Sequence, residues 1–254
     1  MRTLNKQEIV KFVLDNPSYL DFLPQEIKGR LNTDENLSIP EIQKMFIEDV
    51  YEPLTPQEIE KITPATQKAE SELYNILHKV GINITKPMNW VVIKAKTGYN
   101  WNTCYTQGGL IVLSQKRIDS DDNLARTLAH EMIHIYQRRY PKLFRKFYKE
   151  KMKFSDLKLN EKQLESIDEL GINQIYVDNP DNCQIGLMVF NEKYLPISVI
   201  LPNEKQPVNI VLELQDDKVI WDKDKTHQMN SYDKMRLDQP NEMFAYKVTK
   251  NINS

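Results

Sequence analysis

One short motif in the sequence has residue types suited to metal chemistry, His130-Glu131-Met132-Ile133-His134. Two histidines four residues apart lie on one face of a helix, about 5–6 Å apart, so both imidazoles can bind a single ion. Glu131 is rotated by about 100° from His130 around such a helix, which keeps its carboxylate near the ion without making it a ligand. From there it can act as a general base on a water activated by the ion. The alternative is a pair of surface histidines beside neighbouring acids.

A zinc site for hydrolysis needs a third protein ligand, and only His78 and His227 of the four histidines lie outside the motif. Tyr140 occupies the position at which a third histidine would extend the motif, so a carboxylate is the expected third ligand. Glu242 is the best candidate, because Pro240 starts a helix whose first turn carries it. An acid there also suits the helix dipole without a metal, and this interpretation stays open. The rival glutamates lie in a lysine-rich stretch that is expected to face solvent: Glu150, Glu161, Glu165 and Glu169.

These residues resemble the active site of the zincin metallopeptidases, in particular the gluzincins, in which a glutamate from a later helix joins the two motif histidines. The run 128–134 is similar to their active-site helix, and 108–114 (GGLIVLS) is similar to their edge strand. The run 242–245 (EMFA) is similar to the sequence around the third ligand in toxin-type gluzincins such as anthrax lethal factor.

The resemblance implies a function and a role for each of these residues. It implies zinc-dependent hydrolysis of peptide bonds, with one zinc ion bound by His130, His134 and Glu242. Glu131 would be the general base. We expect the substrate to be an extended peptide or protein segment along the strand near 109–114, bound by backbone hydrogen bonds.

Two residues are candidates for stabilising the tetrahedral oxyanion. Tyr232 is the first candidate and His227 the second, since either side chain can donate a hydrogen bond to a developing negative charge. Tyr232 lies further ahead of Glu242 than the corresponding tyrosine of lethal factor, and Tyr246 stands where thermolysin-like members carry an acid. The loop 221–232 is polar, so both candidates can equally be ordinary surface residues.

The elements that must position these residues indicate an α+β fold, a zincin-like metallopeptidase domain with a small mixed sheet. Buried strands are predicted at 90–95 and 110–113. The run 120–122 is expected to cap a helix that ends at Arg139, and the final helix is expected to begin at Pro240. Other helices are expected at 5–14, 65–80 (opened by Pro64), 141–154 and 160–170, and short strands at 173–177, 184–190, 194–201, 208–214 and 218–221.

The expected domain organisation follows from this pattern. Residues 1–63, cut repeatedly by proline, are predicted to be an N-terminal helical accessory segment; a regulatory prosegment or a partner-docking arm is the alternative. Residues 64–254 are predicted to be the metallopeptidase domain, with a β-rich insertion at about 173–221.

Composition excludes several classes of protein. With 254 residues, 40% hydrophobic residues and a net charge of −2, the chain is expected to be globular, without general attraction to nucleic acid or anionic lipid. Two cysteines cannot form a disulfide framework, so free thiols in a reducing compartment are expected. No signal peptide or membrane span is evident, which predicts a cytoplasmic protein with no membrane partner. Lys, Asn and Ile are abundant, a pattern that AT-rich codons produce and that indicates a low-GC microbe or a large DNA virus. If the source is such a virus, the virion is an alternative location.

Two alternatives to a simple peptidase remain. The stretch 138–149 interleaves basic and aromatic residues, which could contact DNA as in SprT-like zincins; the other interpretation is an amphipathic helix with an apolar stripe formed by Leu143, Phe144, Phe147 and Tyr148. A zincin-like module that only binds or only stabilises is the second alternative, although such a module has no use for Glu131.

Overall fold

The computed structural model describes residues 1–15, 38–84, 88–96, 104–120, 123–170, 175–176, 187–199, 208–222, 239–250 and 252. These residues form a mixed α/β fold with eight helices and two sheets. The helices are α1 (Lys6–Leu14), α2 (Ile39–Val50), α3 (Pro56–Lys79), α4 (Gln115–Ser120), α5 (Leu124–Arg139), α6 (Pro141–Lys151), α7 (Glu161–Glu169) and α8 (Pro240–Thr249). The strands are β1 (Tyr51–Glu52), β2 (Val91–Ala95), β3 (Tyr105–Gln107), β4 (Leu110–Ser114), β5 (Phe154–Asp156), β6 (Ile175–Tyr176), β7 (Met188–Phe190), β8 (Tyr194–Val199), β9 (Val208–Leu214) and β10 (Val219–Trp221).

The chain divides into two compact units, Met1–Ile135 with Val248–Ser254, and Tyr136–Lys247. The first unit contains a sheet with the strand order β1-β2-β4-β3. β2 and β4 are parallel, and β1 and β3 pair antiparallel with them. Every residue of β2 and β4 is buried, as is usual for strands covered on both faces. The predicted strands at 90–95 and 110–113 are confirmed.

The position of β4 within the sheet differs from the expectation of an edge strand at 109–114. β4 pairs with β2 over its whole length and with β3 from Leu110 to Val112, so it lies inside the sheet. Among the described residues, β3 forms the edge on that side. Gly108, with φ at 58°, adopts the left-handed conformation that a tight turn between β3 and β4 requires. In this hairpin β3 pairs with the side of β4 that the sequence pattern predicts to be a free edge.

The N-terminal helices share one core with this sheet. Their apolar faces and the sheet residues form a single cluster of buried side chains: Leu4, Ile9, Val13, Ile42, Phe46, Ile47, Val50, Tyr51, Val91, Ile93, Ala95, Tyr105, Leu110 and Val112. β1 also adds a strand from this region to the sheet. The described part of the predicted accessory segment 1–63 therefore contributes to the same core as β2 and β4.

Helix α3 begins earlier than predicted. The sequence predicts a start at Pro64, but the helix runs from Pro56 to Lys79 with Pro64 inside it. Thr55 and Glu58 form a capping box at its start, which satisfies the first backbone N–H groups. The buried positions continue at helical spacing across the proline, at Ile62, Thr66, Ala69, Leu73 and Leu77. This continuous burial outweighs the hydrogen bond that Pro64 removes, and the predicted boundary at 63/64 falls within the helix.

A buried ion pair joins α3 to the sheet. Lys94 of β2 lies 3.0 Å from Glu58, and their side chains are only 9% and 12% exposed. Gln115 also donates a hydrogen bond to Glu58, at 3.1 Å. Burial raises the pKa of the Glu58 carboxyl, but hydrogen bonds from the Thr55 backbone, Lys94 and Gln115 outweigh it and hold the pKa below its ordinary value.

Lys94→Met is expected to lower the free energy of unfolding by about 3 kcal/mol, because it leaves a buried carboxylate without its cation. Adding Glu58→Gln should recover most of that loss, since glutamine also closes a capping box. Urea denaturation of the single and double variants measures both effects. Equal stability of Lys94→Met and the unmodified protein would contradict the expectation.

The same pair predicts a pH dependence of stability. Because folding lowers the pKa of Glu58, the contribution of Glu58 to the free energy of unfolding is present above its unfolded pKa and is lost as pH falls through the folded value.

The second unit, Tyr136–Lys247, contains an antiparallel sheet with the strand order β10-β9-β8-β7-β5, and β6 pairs with β8. Its core cluster joins Ile167 of α7 to the inner face of the strands: Leu195, Ile197, Val199, Ile210, Leu212 and Val219. Strands β6 to β10 occupy the predicted β-rich region at 173–221, and β5 extends their sheet. Within the described ranges, every helix is too short or too polar to cross a bilayer.

Helix α6 follows the amphipathic interpretation of the stretch 138–149. Phe144 and Tyr148 are buried, and Lys142 and Lys146 are exposed. Two of its other basic residues pair with Asp156: Arg145 at 2.8 Å and Lys149 at 2.6 Å.

Candidate metal centre

Helix α5 carries the His-Glu-x-x-His motif. It runs from Leu124 to Arg139, as predicted, and Asn123 caps it; of the run 120–122 that is expected to cap it, residues 121 and 122 lie outside the described residues. The Asn123 side chain accepts a hydrogen bond from the Arg126 N–H at 3.3 Å. Ser120 instead ends α4, and its hydroxyl donates to the Lys116 carbonyl at 2.7 Å. The short helix α4 therefore precedes α5, whereas the sequence predicts a single capped helix.

The two motif histidines point at each other through the same ring atom. Their Nε2 atoms are 3.1 Å apart, and the rings are nearly perpendicular, at 83°. His134 is 1% exposed, whereas His130 is half-buried. Two zinc–nitrogen bonds of tetrahedral geometry would separate the nitrogens by about 3.3 Å. The spacing therefore suits two ligands of one ion.

The structure brings Glu242 to the two histidines. A carboxylate oxygen of Glu242 and the ring nitrogens of His130 and His134 all lie within 4.8 Å of one another. Helix α8 begins at Pro240 as predicted, and it buries Phe244, 1% exposed, and Val248, 6% exposed. Glu242 itself is half-buried.

The donor set fits a divalent transition metal. Two imidazole nitrogens and one carboxylate oxygen are the protein ligands of many catalytic zinc sites, which keep a further position for water or substrate. The group could hold a metal, and imidazole nitrogens with a carboxylate oxygen suit zinc and its first-row neighbours.

Glu131 is 4% exposed, so its carboxylate is shielded from bulk water. Its charge acts on the thiol of Cys104, the residue before β3. Burial raises the pKa of Cys104 to about 12, the Glu131 charge adds to this rise, and hydrogen bonds with Ser114 oppose it. The sequence does not suggest that Cys104 and Glu131 interact, because the two residues are distant in the chain.

Cys104 is expected to resist alkylation in the folded protein. Its thiolate fraction at pH 8 is about a thousandfold smaller at a pKa of about 12 than at the ordinary value of 9.0. Iodoacetamide labelling of a Cys183→Ser variant, folded and in urea, measures this ratio on a single thiol; equal rates would contradict it. Since folding raises the pKa, the stabilising contribution is complete below pH 9 and is lost as pH rises toward 12.

Gln137 and Tyr148 contact α8, the helix that carries Glu242, and the sequence alone indicates a role in the site for neither of them. Gln137 of α5 is fully buried and donates to the Tyr148 hydroxyl at 2.8 Å and to the Asn241 carbonyl at 2.9 Å. Burial raises the pKa of Tyr148 well above its usual range; the hydrogen bond from Gln137 opposes the rise and the charge of Glu242 adds to it. The spacing of Gln137, one turn beyond His134, is the sequence signal that could have suggested it.

The other predicted site residues have different outcomes. Tyr232 and His227 lie outside the described residues, so their predicted roles stay predictions. His78 is exposed on the last turn of α3. The rival glutamates are all exposed, as expected: Glu150, Glu161, Glu165 and Glu169.

Comparison of the chain with protein-family models, with curated proteins and with solved structures gives no match. The assignment of a function therefore depends on the geometry and chemistry of the site.

Proposed function

We propose that this chain is a zinc-dependent metalloendopeptidase of the gluzincin type. The observation that carries the proposal is the group of His130, His134 and Glu242, whose ligand atoms lie within 4.8 Å of one another. Glu131 follows the first of these ligands directly and is buried. A metal site that only stabilised the fold would not need a buried carboxylate at that position.

In this proposal zinc, when bound, would lower the pKa of its water ligand toward neutrality and polarise the substrate carbonyl. Glu131 accepts the proton of the attacking water and passes it to the leaving nitrogen as the peptide bond breaks. The low exposure of Glu131 shields this proton transfer from bulk solvent. Tyr232 and, second, His227 are the proposed donors to the oxyanion.

The proposed substrate is an extended peptide, bound by backbone hydrogen bonds and selected by side-chain pockets. Because β4 is paired on both sides over Leu110–Val112, a peptide would not join the sheet at that part of 109–114.

The test is metal analysis of the purified chain together with cleavage of a peptide library, with and without orthophenanthroline. We expect about one zinc per chain and cleavage that the chelator abolishes and added zinc restores. Bound zinc without cleavage would favour the non-catalytic zincin-like module. Absence of zinc from a folded protein in zinc-containing buffer would contradict both interpretations.

A further inference from the structure

Gln137 lies on the same helix as the two histidine ligands, three residues after His134, and its side chain is fully buried. A buried amide must find partners for both of its N–H bonds, since each unsatisfied donor costs about 1–3 kcal/mol. Both are satisfied by atoms outside α5: the Tyr148 hydroxyl of α6 at 2.8 Å and the Asn241 carbonyl of α8 at 2.9 Å.

The second of these hydrogen bonds reaches the backbone of a ligand. The carbonyl of Asn241 belongs to the rigid peptide group that joins Asn241 to Glu242. A carbonyl oxygen has two lone pairs, so it can accept from Gln137 and still serve its own helix. One helix therefore carries two ligands and holds the peptide group that precedes the third.

Packing holds the partners of this amide in place. Phe244 of α8 lies among three aromatic rings of α6, with centroid distances of 5.6 Å to Phe144, 5.2 Å to Phe147 and 6.0 Å to Tyr148. These edge-on and tilted contacts restrain α8 two residues after Glu242. The Tyr148 ring belongs to this cluster, so its hydroxyl fixes the orientation of the Gln137 amide.

We propose that Gln137 is a positioning residue of the metal centre, which sets the metal affinity by holding the backbone of Glu242 against the helix that carries His130 and His134. The inference rests on the metal-binding group of the proposed function but not on peptidase activity. Residues that orient ligands typically change metal affinity by about 10–100-fold when they are replaced.

The test compares zinc affinity in Gln137→Met and Gln163→Met, measured by competition with a chromogenic chelator. Gln163 is a matched control: it is also a buried glutamine of the second unit, and it donates to the Gln215 carbonyl at 2.6 Å, which ties α7 to the segment after β9. Gln137→Met is expected to bind zinc about 10–100-fold more weakly. Gln163→Met is expected to lose thermal stability and keep its zinc affinity.

Zinc affinity of folded Gln137→Met equal to that of the unmodified protein would overturn the inference, as would an equal loss in Gln163→Met, which would indicate a general effect of stability. If Gln137→Met does not fold, Gln137→Glu replaces it: its carboxylate can accept a hydrogen bond from the Tyr148 hydroxyl, reversing the present one, but has no donor for the Asn241 carbonyl, and the same weakening is expected. Failure of the unmodified protein to bind zinc would instead refute the metal-binding group itself, so the two failures are distinguishable.

Discussion

Glu131→Gln is expected to abolish peptide hydrolysis while zinc remains bound. The substitution keeps the size and shape of a side chain that is 4% exposed, but its amide cannot accept the proton of the attacking water. General bases contribute about 10²–10⁴-fold to rate, so kcat should fall by at least about a hundredfold. The ligands are untouched, so the zinc content should stay at that of the unmodified protein. Cleavage assays and metal analysis on the same preparation measure both quantities.

Glu58→Gln is the matched control for this variant. It makes the same change at another glutamate of low exposure, one that pairs with Lys94 and lies outside the proposed metal centre. It is expected to cost stability and leave kcat unchanged. Undiminished hydrolysis by Glu131→Gln on the same peptide would show that Glu131 is not the base.

Glu242→Ala is expected to weaken zinc binding by more than about 100-fold. That is the upper end of the loss caused by replacing residues that only orient the ligands. The substitution leaves two imidazoles, whose Nε2 atoms are 3.1 Å apart, without the negatively charged ligand. Zinc at 100 times its Kd stabilises a protein by about 2.7 kcal/mol, so the unmodified chain should melt at a higher temperature with zinc than with a chelator. Glu242→Ala should lose that difference, which thermal unfolding measures directly.

Glu169→Ala supplies the comparison, because Glu169 is an exposed rival. It should retain both the zinc content and the zinc-dependent rise in melting temperature. Retention of both by Glu242→Ala would mean that another residue completes the site. Tyr232 and His227 would then have to be tested as ligands as well as oxyanion donors.

Local sequence patterns determine a large part of this protein. The motif residues lie on one helical face because helix geometry places positions four apart side by side. Pro240 starts α8 because a proline suits the first helical position, and this puts Glu242 on the first turn. The buried strands β2 and β4 are evident from their unbroken apolar runs. Each of these features depends on residues close together in the chain.

Long-range pairing decides the rest. Whether Leu110–Ser114 is an edge or an interior strand depends on whether Tyr105–Gln107 folds back on it, and only the Gly108-Gly109 turn hints at that. The local sequence favours a helix start at Pro64, but buried residues on both sides of Pro64 keep α3 continuous.

The same distinction between local sequence and long-range packing applies to the candidate metal centre. The sequence alone determined which side chains can bind a metal and which can act as a base, because residue type sets donor atoms and acidity. Only the tertiary structure decided that Glu242 meets the two histidines, that Glu131 lies near the thiol of Cys104, and that Gln137 bonds to Asn241. These partners are brought together by packing, and local periodicity carries no information about which distant residue will occupy a contact.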